Sequence, residues 1–280
     1  MEICVFTKHF QSLNIQQLAK TMVQLGVDGV DLTVRNKGYI EPQQVKKLLP
    51  EYQKILQDYG IKISMLTTGI TKAEEETYSV LETAAELGIK YLKLGYWPYQ
   101  GFGNLRQQEK EVKQSLKELE KLFKSFGLKA GFHTHSQFFL GINSVYVLRL
   151  IEDCDPTVIG VYYDIGHETL EGALRGWEMD LDLAAERLFM VAIKSMNLYH
   201  MGNNDDPRRG WVWRTVPLEA GMTDIGGLLK NLKEINYDGI FSFHSEYQGQ
   251  FSWRDLNQQE LIQQTQKDLN YFRKLLNIYY

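Results

Sequence analysis

The sequence is poor in cysteine: 280 residues contain two, Cys4 and Cys154. They form neither a CxxC pair nor a zinc-ribbon spacing. Both lie in apolar segments, so they are expected to be buried free thiols, which suits a reducing compartment. No run of about 18 apolar residues is present, so no membrane-spanning helix is expected. The first ten residues, MEICVFTKHF, lack a basic segment followed by a long apolar stretch and read as a strand, not a signal peptide. The expected location is cytoplasmic. A formal net charge of -4 gives no electrostatic reason for a nucleic-acid or anionic-membrane partner. There is no GxGxxG after the first strand and no GxxxxGK[ST], so neither dinucleotide nor P-loop binding is supported. There is no HExxH, no low-complexity tract and no Pro/Gly/Ser-rich linker. Residues 1–280 are therefore read as one domain.

What is present is alternation. Short β-rich runs occur at Glu2–Phe6, Gly29–Arg35, Ile61–Thr67, Tyr91–Gly95, Lys129–His135, Val158–Asp164, Phe189–Met196 and Gly239–Glu246. Amphipathic helical patterns separate them. Asn14 can cap the first, and Thr71 with Glu74 forms an expected capping box before the third. One phrase recurs as QLGVDGVDL, DYGIKISML, ELGIKYLKL, SFGLKAGFH and EINYDGIFSFH. Its glycines, and Asn236 in the last copy, fit the left-handed turn between a helix and the next strand. Eight βα units predict an α/β fold, a single (β/α)8 TIM barrel. The stretch Asn197–Gly221 is the longest without a clear pattern. Its Trp211, Trp213 and Arg214 predict a loop covering the site.

In such a barrel the carboxyl ends of the strands build the site. Residues two apart on a strand share a face. This groups Asp31, Thr33 and Arg35 on strand two, Lys93 and Gly95 on four, and His133 and His135 on five. It groups Tyr162 and Asp164 on six, Ala192, Lys194 and Met196 on seven, and Ser242, His244 and Glu246 on eight. Each alone has a structural explanation: an Asp31–Arg35 ion pair, a Lys93 reaching to solvent, a Glu246 that caps the last helix. Together they argue for function, because buried charges cost several kcal/mol unless paired or metal-bound. Asp164 and Glu246 with His133 or His135 suit a divalent metal, Mn, Mg, Co or Zn. Lys194 is the rival cation between the two carboxylates.

These residues carry a resemblance. VFTKHFQSL, LGVDGVDLTVR, GFHTHS, YYDIGH, VPLEAGM and FSFHSEYQG resemble segments of the xylose isomerase-like sugar phosphate isomerase/epimerase superfamily, over nearly the whole chain. The resemblance implies metal-binding roles for Asp164 and Glu246 and substrate contact for His167. Two departures stand out. Ala192 occupies the place of the usual strand-seven His, two residues before Lys194. The usual strand-five Glu is absent, and His133, Thr134 and His135 occupy that region. The expectation is a sugar or sugar-acid isomerase or epimerase that removes a proton next to a carbonyl. Glu246, Lys194 and His133 are its catalytic candidates. Asp31, Arg35, Lys93, His167, Trp213 and Arg214 are expected to bind substrate, and Asp164, Glu246 and His135 the metal. The partner would be a small sugar, sugar acid or polyol, and the oligomeric state is open, a homo-oligomer included. Alternatives are a lyase acting on a keto-polyol, which begins with the same proton abstraction, and a sugar-binding barrel without catalysis. A DNA repair nuclease fits poorly, since those barrels use a richer set of His and acidic zinc ligands than 6 His in an acidic chain supplies.

Overall fold

The computed structural model describes residues 1–202 and 210–280. Eight parallel strands close into a barrel: β1 (Glu2–Phe6), β2 (Gly29–Val34), β3 (Lys62–Thr68), β4 (Tyr91–Lys93), β5 (Lys129–His133), β6 (Ile159–Asp164), β7 (Leu188–Ile193) and β10 (Ile240–Phe243). Their order is β1-β10-β7-β6-β5-β4-β3-β2, and β1 pairs with both β10 and β2 to close the ring. Helices α1 (Ile15–Leu25), α2 (Val45–Asp58), α3 (Glu75–Glu86), α4 (Leu105–Ser125), α5 (Ser144–Ile151), α6 (Ile165–Ala184), α7 (Ile225–Glu234) and α8 (Gln258–Tyr279) lie between and after the strands. The expected (β/α)8 TIM barrel is the fold observed.

The core has two parts. Outward-facing strand residues such as Val30, Leu32, Val161 and Phe241 pack against helix residues such as Leu18, Leu116 and Phe272. Inside the barrel a smaller cluster contains Cys4, Met65, Tyr162, Met190 and Ala192. Both cysteines are free and buried, as expected. The recurrent turns behave as the sequence predicts. Gly26, Gly60, Gly88 and Gly127 have φ of 66°, 73°, 73° and 66°, and Asn236 takes their place at 53°. Asn14 makes a full capping box with Gln17. The Thr71–Glu74 box does not form. Glu74 is itself the residue before α3 and makes no side-chain cap bond.

The predicted seventh strand splits. Ile193 ends the barrel strand, and β8 (Ser195–His200) leaves it to pair antiparallel with β9 (Trp211–Val216). The described part of the Asn197–Gly221 stretch is thus largely a β-ribbon, not an irregular loop; residues 203–209 lie outside the described residues. Among the described residues no helix is long and apolar enough to cross a membrane.

Candidate active site

Asp164 is the last residue of β6 and also the cap of α6. Its Oδ1 accepts the backbone N–H groups of Gly166 and His167, each at 3.1 Å. These bonds fix the carboxylate at a helix N-terminus, where negative charge is favoured. The other oxygen, Oδ2, is left to face the barrel mouth. Lys194 Nζ lies 3.0 Å from it and His133 Nε2 3.2 Å from it.

Lys194 is the hub. It is buried, and its ammonium also donates to Glu246 Oε2 at 3.1 Å and pairs with His167 Nε2 at 2.6 Å. An ammonium has three donors, and here three acceptors surround it. Burial works to lower its pKa, but the Asp164 and Glu246 carboxylates outweigh burial and raise it. Gly166 makes room, because a Cβ there would come within 2.6 Å of Lys194 Cγ. Glu246 is held from the other side by Lys8, 2.9 Å from Oε1. Burial would raise its pKa, but Lys194 and then Lys8 hold it well below the usual carboxylate range.

Four histidines line the same space. Burial, reinforced by nearby cationic groups, pushes His133 and His167 well below the usual imidazole pKa, and His135 to about 4. Burial also depresses His244, against the pull of Asp164. All four are therefore neutral near pH 7. His133 Nε2, Asp164 and His244 Nδ1 converge, with ligand atoms within 4.8 Å of one another. The outer nitrogen of each imidazole meets a tyrosine hydroxyl: His133 Nδ1 with Tyr96 at 3.0 Å, His244 Nε2 with Tyr162 at 2.8 Å. Two neutral imidazoles and one carboxylate, each imidazole oriented from behind, are a donor set that fits a divalent metal.

This trio differs from the expected one. It keeps Asp164, takes His133 of the two strand-five histidines that the sequence offered, and has His244 where Glu246 was expected. His133 is the last residue of β5 and faces inward, whereas His135 lies past the strand end. There its N–H bonds Gly141 and its Nδ1 meets the carbonyl of Ser136. Glu246 bonds the two lysines instead. Sequence reasoning noticed His244 but gave it no role; its signal was the alternation Ser242, His244, Glu246.

The remaining candidates spread outward. Asp31 is fully buried below the mouth and accepts from Thr67 (2.7 Å), Ser242 (3.0 Å) and Tyr162 (3.3 Å). Burial raises its pKa to about 6, against these three bonds. Arg35 does not pair with it; its guanidinium stands 5.7 Å from the Phe6 ring centre. Lys93 does not reach solvent. It is 2% exposed, its amine has no hydrogen-bond partner and lies 3.4 Å from the centre of the Tyr96 ring. Burial, then Arg35, lowers its pKa well below the usual range. Trp213 on β9 approaches the cluster, its ring 6.4 Å from that of His167. Arg214 turns back to the Trp213 carbonyl at 2.8 Å.

The model of the xylose isomerase-like TIM barrel family matches residues 19–275. The chain belongs to that family. An uncharacterised protein of Methanocaldococcus jannaschii is 25% identical over 134 residues, 47% of this chain and 42% of that protein, so the match spans less than half of the relative. Among solved structures, 3-keto-D-glucoside 4-epimerase of E. coli superposes with TM-score 0.70 and 17% identity, over 98% of this chain and 99% of that one. A protein of Bacillus anthracis assigned as a 3-DHS dehydratase of petrobactin synthesis gives 0.70 and 14%, over 96% and 99%. A xylose isomerase-like barrel of Mycobacterium smegmatis, in complex with magnesium, gives 0.72 and 15%, over 99% and 97%. At these identities the likeness is one of fold.

Proposed function

We propose that the protein is a sugar or sugar-acid isomerase or epimerase that works by moving a proton on the carbon next to a carbonyl. One observation carries this reading: a buried ammonium, Lys194, is shared by two carboxylates and a neutral imidazole at the carboxyl end of the barrel. Proton abstraction beside a carbonyl needs a base, an acid and a positive group for the enediolate oxygen. Glu246, kept ionised by Lys194 and Lys8, is the base. Lys194 neutralises the oxygen that gains charge. His167 is oriented by Ser136, 2.9 Å from Nδ1, and its Nε2 accepts from Lys194, which fixes the ammonium against the oxygen it neutralises. His133, Asp164 and His244 would hold a divalent ion, whose contribution when bound is to polarise the substrate carbonyl. The epimerase and dehydratase relatives in fold fit a common first step. A dehydratase differs only in expelling hydroxide from the same enolate.

The test is proton exchange. Ketoses, keto-acids and 3-keto-glycosides are incubated with the protein in D2O and followed by NMR. Deuterium is expected at the carbon next to the carbonyl, with an epimer or isomer as product. Glu246→Gln is expected to slow the exchange by about 10²-fold or more, the size of a lost general base. Loss of water from the substrate would move the reading to a lyase. Exchange unaffected by Glu246→Gln would remove Glu246 as the base.

A further inference from the structure

A groove of about 780 Å³ opens beside the site, between the β5–α5 loop, the start of α6, the β8–β9 ribbon and the segment after β10. Phe138, Leu170, Leu198, Trp211, Trp213 and Phe251 supply its apolar walls. Several are strongly exposed for their type: Phe138 is 78% accessible, Trp211 49%, Leu198 43% and Phe251 40%. A contiguous apolar surface of this kind marks a binding site more often than it marks chance. The groove is also continuous with the chemistry. Trp213 and Phe251 stack nearly parallel, 4.8 Å apart at 11°, and the Trp213 ring meets the edge of His167, the imidazole that touches Lys194. At its rim Gln137 holds a φ of 81°, unusual for a residue with a side chain. Such strain gathers at ligand sites. Gln137 and Gln250 add amide groups to the lining.

We propose that this groove is a second subsite, which binds a ring carried by the reacting sugar, so that the substrate is a glycoside with a ring substituent and not a free monosaccharide. The proposal rests on the reading of the site as sugar-processing and narrows its substrate class. The apolar face of a six-membered ring, aryl or pyranose, stacks on indole and phenyl surfaces, and the amides serve hydroxyls at its edge. With the reacting ring against Lys194 and Glu246, a substituent leaving past His167 runs onto Trp213 and outward along the groove. Nothing in the proton-transfer step needs Phe138 or Trp211, so their exposure is left to the substituent.

The experiment compares three ligands by calorimetry: methyl β-D-glucoside, phenyl β-D-glucoside and cellobiose. The phenyl glycoside, the disaccharide or both should bind at least tenfold more tightly than the methyl glycoside. Phe138→Ala and Trp211→Ala should erase that advantage while leaving the methyl glycoside unchanged. Phenyl alone assigns an aryl substituent, and both assign a ring of either kind. Equal affinities for all three, no binding of any, or equal weakening of all three by the variants would overturn the proposal. So would a dimer, seen by sedimentation, that Phe138→Ala dissociates, because a second copy would then fill the groove. Failure here is separable from failure of the proton-transfer reading, since deuterium exchange into unsubstituted ketoses reports on the latter alone.

Discussion

Replacing Lys194 by Met keeps most of the side-chain volume and removes the charge. The ammonium is buried against Asp164 Oδ2 at 3.0 Å and Glu246 Oε2 at 3.1 Å. Breaking a buried pair by deleting one partner costs about 3–5 kcal/mol, because the other charge stays behind unpaired. Two features place the cost near the low end. Glu246 keeps Lys8 at 2.9 Å, and Asp164 keeps two backbone N–H groups at 3.1 Å. The expected loss is about 3 kcal/mol, a fall in Tm of roughly 6–12 °C for a chain of this size. Chemical denaturation at pH 7 measures it. The pH window follows from the two shifts. Glu246 has a depressed folded pKa, so its contribution is present above the unfolded carboxyl pKa and lost as pH falls through the folded value. Lys194 has a raised folded pKa, so its contribution is present below the unfolded amine value and lost as pH rises through the folded one. Between these limits the difference between wild type and Lys194→Met should be flat. A cycle with Asp164→Asn should show the double variant recovering about 1 kcal/mol or more against additivity. A Lys194→Met variant as stable as wild type at pH 7, or strict additivity in the cycle, would refute the reading of Lys194 as the charge that holds the site together.

Two further outcomes are expected. Titration of the metal-stripped protein with Zn²⁺ or Mn²⁺ should fill one site per chain; His133→Ala and His244→Ala should abolish uptake and His135→Ala should retain it, and the reverse pattern would return the metal to the His135 set that the sequence suggests. Asp31, with its folded pKa raised to about 6, binds its proton more tightly folded than unfolded, so stability should fall as pH rises from the unfolded value to about 6 and then level off. A shift of about two units corresponds to about 3 kcal/mol, and Asp31→Asn should flatten this part of the curve in urea unfolding; an unchanged slope would contradict the buried carboxyl.

How far the sequence could be read depended on whether the deciding contacts were local. Asn236 was legible as a turn because a left-handed residue between helix and strand is set by its own neighbours, and it has φ 53°. Asp164 was legible because alternation holds to the last residue of a strand, and Lys194 because the alternation carries over the single residue between β7 and β8. Alternation brought His135 to the same space, its ring 4.0 Å from that of His167 and 5.9 Å from that of His133. It could not show that β5 ends at His133, after which the His135 N–H turns to Gly141 and its Nδ1 meets the Ser136 carbonyl. The ribbon was missed for a related reason. Its strands are separated by residues 201–210 without the two-residue turn that marks a tight hairpin, so nothing local tied Leu198 to Trp213, which pair in register. The site itself is the least local feature. Lys8 follows the first strand and Glu246 the last, 238 residues apart, and they meet because β1 and β10 close the ring. No motif spans that distance. Closure of the barrel supplies the second lysine on Glu246, which adds to Lys194 in keeping this carboxylate ionised in a buried site.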